Sequence, residues 1–107
     1  MHTKGYLYRD MKPSNFMIGD DKRTIYIIDF GLCKKYLKQN STAHIPERQN
    51  KKMVGTPLFC SIFTHQGIGT TEAYAEQSRR DDLESLAYMI LYFLRPLPWE
   101  NIKEENK

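Results

Sequence analysis

The stretch from Leu83 to Leu94 limits the possible folds more than any other part of the chain. Leu83, Leu86, Ala87, Ile90, Leu91 and Leu94 recur at i, i+3, i+4, i+7, i+8 and i+11, the spacing of one helical stripe. Tyr88, Met89, Tyr92 and Phe93 occupy the other faces. A helix that is apolar all round is normally a buried one. The pattern therefore predicts a buried central helix over about residues 80–95. Ser78-Arg79-Arg80-Asp81 resembles a capping box at its start, and Pro96 and Pro98 stop it. Such a helix needs neighbours on every side, and the sequence offers few other long helices. The expectation is that these 107 residues are one part of a larger domain.

Composition removes several classes. A chain of 107 residues allows one compact domain at most. With 16 Lys+Arg against 13 Asp+Glu it is only mildly basic, so no nucleic-acid partner is expected. The longest apolar run, Leu86 to Leu94, is far below the ~20 residues that span a bilayer, so no membrane partner is expected. Met1 to Asp10 carries no apolar secretory stretch. Cys33 and Cys60 lack the spacing of a disulfide framework or zinc site, which suits a reducing compartment, cytoplasm and/or nucleus. The sequence sets no oligomeric state.

Along the chain, residues 1–5 read as a frayed helix end closed by Gly5. Phe16-Met17-Ile18 and the β-branched run Thr24 to Ile28 flank Gly19-Asp20-Asp21 and read as a small hairpin. Residues 34–56, with Lys34, Lys35, Lys38, Arg48, Lys51 and Lys52, read as a long exposed loop. Met11, Met17, Met53 and Met89 read as packing residues, as does Cys33; His44 and His65 have no metal-spaced partners and read as structural.

The chemistry lies in two segments. Tyr8-Arg9-Asp10-Met11-Lys12-Pro13-Ser14-Asn15 is followed, fourteen residues after Asn15, by Asp29-Phe30-Gly31. Singly, an Asp after an Arg is a surface pair and an Asp-Phe-Gly is a turn. Together and in order they supply what phosphoryl transfer needs: a carboxylate near the attacking hydroxyl, a cation near the γ-phosphate and oxygen ligands for Mg²⁺. Asp10 is the candidate acceptor of the hydroxyl proton. Lys12 is the candidate cation, and Asn15 and Asp29 are the candidate metal ligands. The first segment resembles the catalytic loop of protein kinases, with Tyr8 in place of the usual His.

The resemblance extends to the casein kinase 1 family over nearly the whole chain. It is carried by Lys12 to Phe16, Ile27 to Leu32, Lys34-Lys35-Tyr36, His44-Ile45-Pro46, Gly55-Thr56, Thr64-His65, Glu76 to Leu86 and Leu97-Pro98-Trp99. It implies an α+β, protein-kinase-like fold, here a partial large lobe that is mainly helical with a small hairpin by the catalytic loop. It implies a serine/threonine protein kinase using ATP and Mg²⁺, with Lys12, Asn15 and Asp29 meeting the nucleotide and its metal. It further implies that Thr56 sits against Asp10 and Lys12, and that Asp82 bonds to the backbone of the Tyr8-Arg9 turn. The catalytic loop is then residues 8–15 and the activation segment 32–63. Protein substrates follow. The basic loop faces acidic or already phosphorylated ones, or is simply a solvated loop; both readings stand.

The chain departs from the family in three places. Ser61-Ile62-Phe63 stands where the family has Ser-Ile-Asn. Leu58 stands where it has an Arg that helps bind an anion, and a Leu makes no charge-assisted bond to phosphate. Residues 69–75 are an insertion. Only nine residues precede Asp10, so the lobe with the glycine-rich loop and its lysine is expected to lie outside these residues, and the isolated chain to be inactive. The rival expectation is a non-catalytic interaction fragment, or a pseudokinase remnant, that binds partners through the basic loop.

Overall fold

The computed structural model describes residues 1–37, 43, 54–66 and 77–102. The insertion at 69–75 and most of the basic loop, with Lys38, His44, Arg48, Lys51, Lys52 and Met53, lie outside the described residues.

The chain opens on a 3-10 turn, His2–Lys4, closed by Gly5 at φ 84°, whose N–H donates to the His2 carbonyl. The left-handed conformation there suits a residue without a Cβ. Strand β1 (Tyr6–Leu7) follows, then a 3-10 turn at Pro13–Asn15 leading into β2 (Phe16–Ile18). Strand β3 (Ile25–Ile27) pairs antiparallel with β2 in the register Phe16↔Ile27, Met17↔Tyr26, Ile18↔Ile25. Asp21 ties the hairpin turn: its Oδ1 accepts from the backbone N–H of Arg23 (3.0 Å) and Thr24 (2.9 Å), and its Oδ2 from the Thr24 hydroxyl (2.6 Å).

These bonds, the Thr24 hydroxyl foremost, lower the Asp21 carboxyl pKa from 3.8 to about 2. A depressed folded pKa stabilises the turn above the unfolded value, and that contribution is lost as pH falls through the folded one. Carboxyl-carbon NMR is therefore expected to place the Asp21 midpoint near 2. A midpoint at the ordinary value near 4 would contradict the turn described.

Strand β4 (Lys34–Lys35) pairs with β1, Tyr6↔Lys35 and Leu7↔Lys34. The first residues of the expected long loop are therefore a strand, and Tyr36 beside them is buried. A 3-10 turn at Pro57–Phe59 and helix α1 (Ile62–Gln66) precede helix α2 (Arg79–Leu94). Ser78 and Asp81 form both halves of the capping box on α2. Arg95, before Pro96, turns extended and ends the helix.

Helix α2 differs from its pattern in one respect. Met89 is 5% exposed, but Leu83, Phe93 and Leu94 are 58%, 65% and 75% exposed. The covered side is Leu86, Tyr88, Met89 and Tyr92, which pack with Phe59, Leu97 and Trp99. Phe59 meets Tyr92 edge-on at 5.4 Å and Tyr88 meets Trp99 at 5.1 Å, contacts worth about 0.5–1.5 kcal/mol each beyond area burial. Of the stripe that marks the helix in the sequence, Leu86 packs against this core, and Leu83, Ala87, Ile90, Leu91 and Leu94 are exposed.

Candidate active site

The catalytic-loop segment folds over the start of α2. Asp82, 2% exposed, accepts from the backbone N–H of Tyr8 through Oδ2 and of Arg9 through Oδ1, both at 2.8 Å. Arg9 adopts φ 66°, a left-handed conformation that costs a residue with a Cβ about 1–2 kcal/mol. Asp82 offsets that cost on the backbone side, and the Leu32 carbonyl, accepting from Arg9 Nε at 2.6 Å, fixes the side chain. Gly55 passes close by at φ 108°; a Cβ there would lie 2.6 Å from the Arg9 carbonyl oxygen.

The bent loop turns the Asp10 carboxylate into a cluster of donors. Asp10 is 8% exposed. Its Oδ1 accepts from the Thr56 hydroxyl at 2.9 Å. Its Oδ2 accepts from Asn15 Nδ2 at 3.0 Å and lies 3.8 Å from Lys12 Nζ. The same Asn15 nitrogen donates to the Asp10 carbonyl at 2.9 Å. Asn15 Nδ2 thus donates twice to Asp10, and the amide's oxygen is the atom with the chemistry to meet a cation.

Asp29 enters through its neighbour. The Ile28 N–H donates to the Asn15 carbonyl at 2.9 Å, and the Tyr8 hydroxyl donates to the Ile28 carbonyl at 2.5 Å. Asp29 follows at φ 61°, exposed, with its Oδ1 accepting from Gly31 N–H at 3.1 Å. The Phe30 ring meets the Tyr8 ring edge-on at 6.2 Å. Burial first, then the Asp10 carboxylate, pushes the Tyr8 phenol up to about 12. Burial first, with Asp10 and Asp81 adding, pushes the Cys60 thiol up to about 11, so it is a neutral packing group at physiological pH.

Asp10, Lys12, Asn15 and Thr56 are therefore in one contact set, Asp29 adjoins it through Ile28, and Asp82 lies beneath the loop. The donor set suits Mg²⁺, a hard cation that takes one or two protein oxygens and completes its shell with substrate phosphates and water. The Asn15 amide oxygen and the Asp29 carboxylate are such oxygens. Among the described residues no cluster of three His, Cys, Asp or Glu forms a closed metal cage.

Several participants leave no signal in sequence reasoning. His2 Nε2 lies 2.8 Å from Asp82 Oδ2, 80 residues away, and nothing near His2 announces it. Buried Ser61, expected only as part of a departure, donates to Asp81 at 2.6 Å and accepts from the Thr64 N–H at 3.1 Å, joining α1 to α2. Gly55 was legible only as part of a Gly-Thr pair; its positive φ and its close approach to the Arg9 carbonyl are visible only in the fold.

A family model of the protein kinase domain matches residues 1–105. The chain belongs to the protein kinase domain family. It is by family a phosphotransferase, and members of this family generally use ATP and Mg²⁺ and act on protein substrates.

Proposed function

We propose that the chain is the catalytic-loop portion of a serine/threonine kinase of casein kinase 1 type, which transfers the γ-phosphate of ATP to Ser or Thr hydroxyls of proteins. The observation that carries this reading is the set of bonds on Asp10 from Thr56 and Asn15, with Lys12 beside it. Asp10 accepts the proton of the attacking hydroxyl, and Thr56 and Asn15 orient its two oxygens toward that task. Lys12 places a positive charge next to the carboxylate, where the transferring group arrives. Asn15 and Asp29 hold Mg²⁺, which when bound neutralises charge on the phosphates. Asp82 holds the loop in register from below.

The subfamily rests on sequence: Lys12 to Phe16, Lys34-Lys35-Tyr36 and Glu76 to Leu86. The basic residues Lys34, Lys35, Lys38, Arg48, Lys51 and Lys52 favour acidic protein substrates, and Leu58 removes one guanidinium from phosphate recognition. Two cysteines without a framework favour an intracellular setting, cytoplasm or nucleus.

Alone, the 107 residues are expected to label casein negligibly, because Asp29 is open to water, where charges bind metal weakly. Grafted in place of the matching segment of an active casein kinase 1 domain, residues 1–105 are expected to support casein labelling with Mg-ATP. A folded graft with no labelling would mean that the site has decayed.

A further inference from the structure

We infer that the cavity beside the Pro57–Phe59 turn receives an apolar side chain of the protein substrate, within a few residues of the acceptor hydroxyl. The inference rests on the proposed kinase reading, which makes the bound peptide a substrate. The cavity encloses about 640 Å³, a volume typical of clefts that take a ligand. Its apolar wall is Pro57, Leu58, Ile62, Tyr88, Trp99 and Ile102. Ile62 and Ile102 are exposed, so part of that wall stands open to water.

The charges in the lining argue against an anion. Leu58 occupies the place where the casein kinase 1 pattern has its anion-binding Arg. None of the described lining residues is Lys or Arg, and Glu100 among them is negative. A phosphate or carboxylate there gains no guanidinium partner. Three polar groups of the lining are engaged within the protein. Trp99 Nε1–H donates to the Leu58 carbonyl at 2.8 Å, His65 Nε2–H to the Pro57 carbonyl at 2.7 Å, and the Tyr88 hydroxyl to Glu84. The surface left to offer is mainly apolar, and its burial drives association. Acidic residues favoured by the basic loop therefore lie at other positions of the substrate.

The cavity adjoins the candidate site through the backbone. Thr56, whose hydroxyl donates to Asp10 at 2.9 Å, is the N-cap of the same turn. Leu58 lies two residues on, and two residues span at most about 7 Å. An extended peptide with its hydroxyl at Asp10 covers that distance in two or three residues. The wall is also preformed. The bonds to the Pro57 and Leu58 carbonyls tie the turn to α1 and to Trp99, so binding has little left to order.

The test titrates the 107-residue chain with short peptides by NMR, so it needs neither nucleotide nor transfer. Each peptide carries one Ser and, two or three residues to either side, Phe, phosphoserine or Ala. The best Phe peptide is expected to bind at least about tenfold tighter than its phosphoserine and Ala twins, the worth of burying one large apolar side chain. It should shift both the Trp99 indole N–H and the Asp10 amide. Leu58→Arg is expected to cut that advantage below about threefold. Equal affinities, an advantage unchanged in Leu58→Arg, or shifts at Trp99 with none at Asp10 overturn the inference. Trp99 signals that move with chain concentration alone mean that a second copy fills the cavity, and overturn it too. If Leu58→Arg does not fold, the parent chain decides by the same two signals. Casein labelling by the folded graft, without the Phe preference, sinks this inference and leaves the kinase reading standing. A Phe preference beside an inert folded graft supports the cavity's selectivity and sinks the kinase reading.

Discussion

In the grafted domain, Asp10→Asn is expected to lower kcat by about 100- to 10,000-fold, the range for removing a positioned general base. The change should fall on kcat and leave KM for ATP nearly unaltered, because the proposed role of Asp10 is toward the acceptor hydroxyl rather than the nucleotide. The substitution is close to isosteric, so Thr56 and Asn15 still have a group to face. One oxygen becomes an NH₂, however, and an amide cannot take the hydroxyl proton. Steady-state kinetics on casein decide the matter. A loss of less than about tenfold would mean that Asp10 orients the substrate and takes no proton.

Asp82→Ala is expected to cost about 3–5 kcal/mol, the usual penalty for breaking a buried charged network by removing one partner. The reasons are specific. Two backbone N–H groups, of Tyr8 and Arg9, lose their acceptor, as does His2 Nε2, and Asp82 is only 2% exposed, so water does not replace it freely. A domain of this size has about 5–15 kcal/mol of stability in total. At roughly 4–8 °C per kcal/mol, the melting temperature should fall by more than about 12 °C. Asp82→Asn keeps one acceptor oxygen and should lose less. Thermal melts of both variants by circular dichroism provide the check; a shift under about 4 °C for Asp82→Ala contradicts the anchoring role.

The parts of this fold that could be read in advance are those whose determinants are local. The β2–β3 hairpin follows from β-branched and aromatic residues around a Gly-Asp-Asp turn, and α2 from its period, capping box and terminal prolines. Which side of α2 is covered was not legible. Every face is apolar, so the choice belongs to Phe59, Leu97 and Trp99, contributed by other segments. The two-residue strands β1 and β4 are too short to show alternation. The five-residue α1 is too short to be stable by itself; Ser61 and the Glu84 carboxylate, which accepts from Ile62 N–H at 2.9 Å, hold it in place.

The site divides the same way. Asp10, Lys12 and Asn15 lie within one short loop, so their spacing alone suggests a shared role. Thr56 reaches Asp10 across 46 residues and Asp82 reaches Arg9 across 73, and both were anticipated only from family resemblance. His2 had neither signal. Its contact with Asp82 depends on the Gly5 turn and the Tyr36 hydroxyl, which only the folded chain brings together.

In the proposed kinase reading, Asn15 and Asp29 face a common point where a nucleotide-bound divalent cation sits beside Asp10. Paramagnetic broadening by Mn²⁺-ATP reads that point directly, even for weak binding. Preferential loss of the Asn15 side-chain signals and of the Asp10 and Asp29 amides is expected, with the hairpin-turn signals of Lys22 and Arg23 retained. Broadening centred on the turn acids Asp20 and Asp21, or spread without preference over the chain, would contradict it.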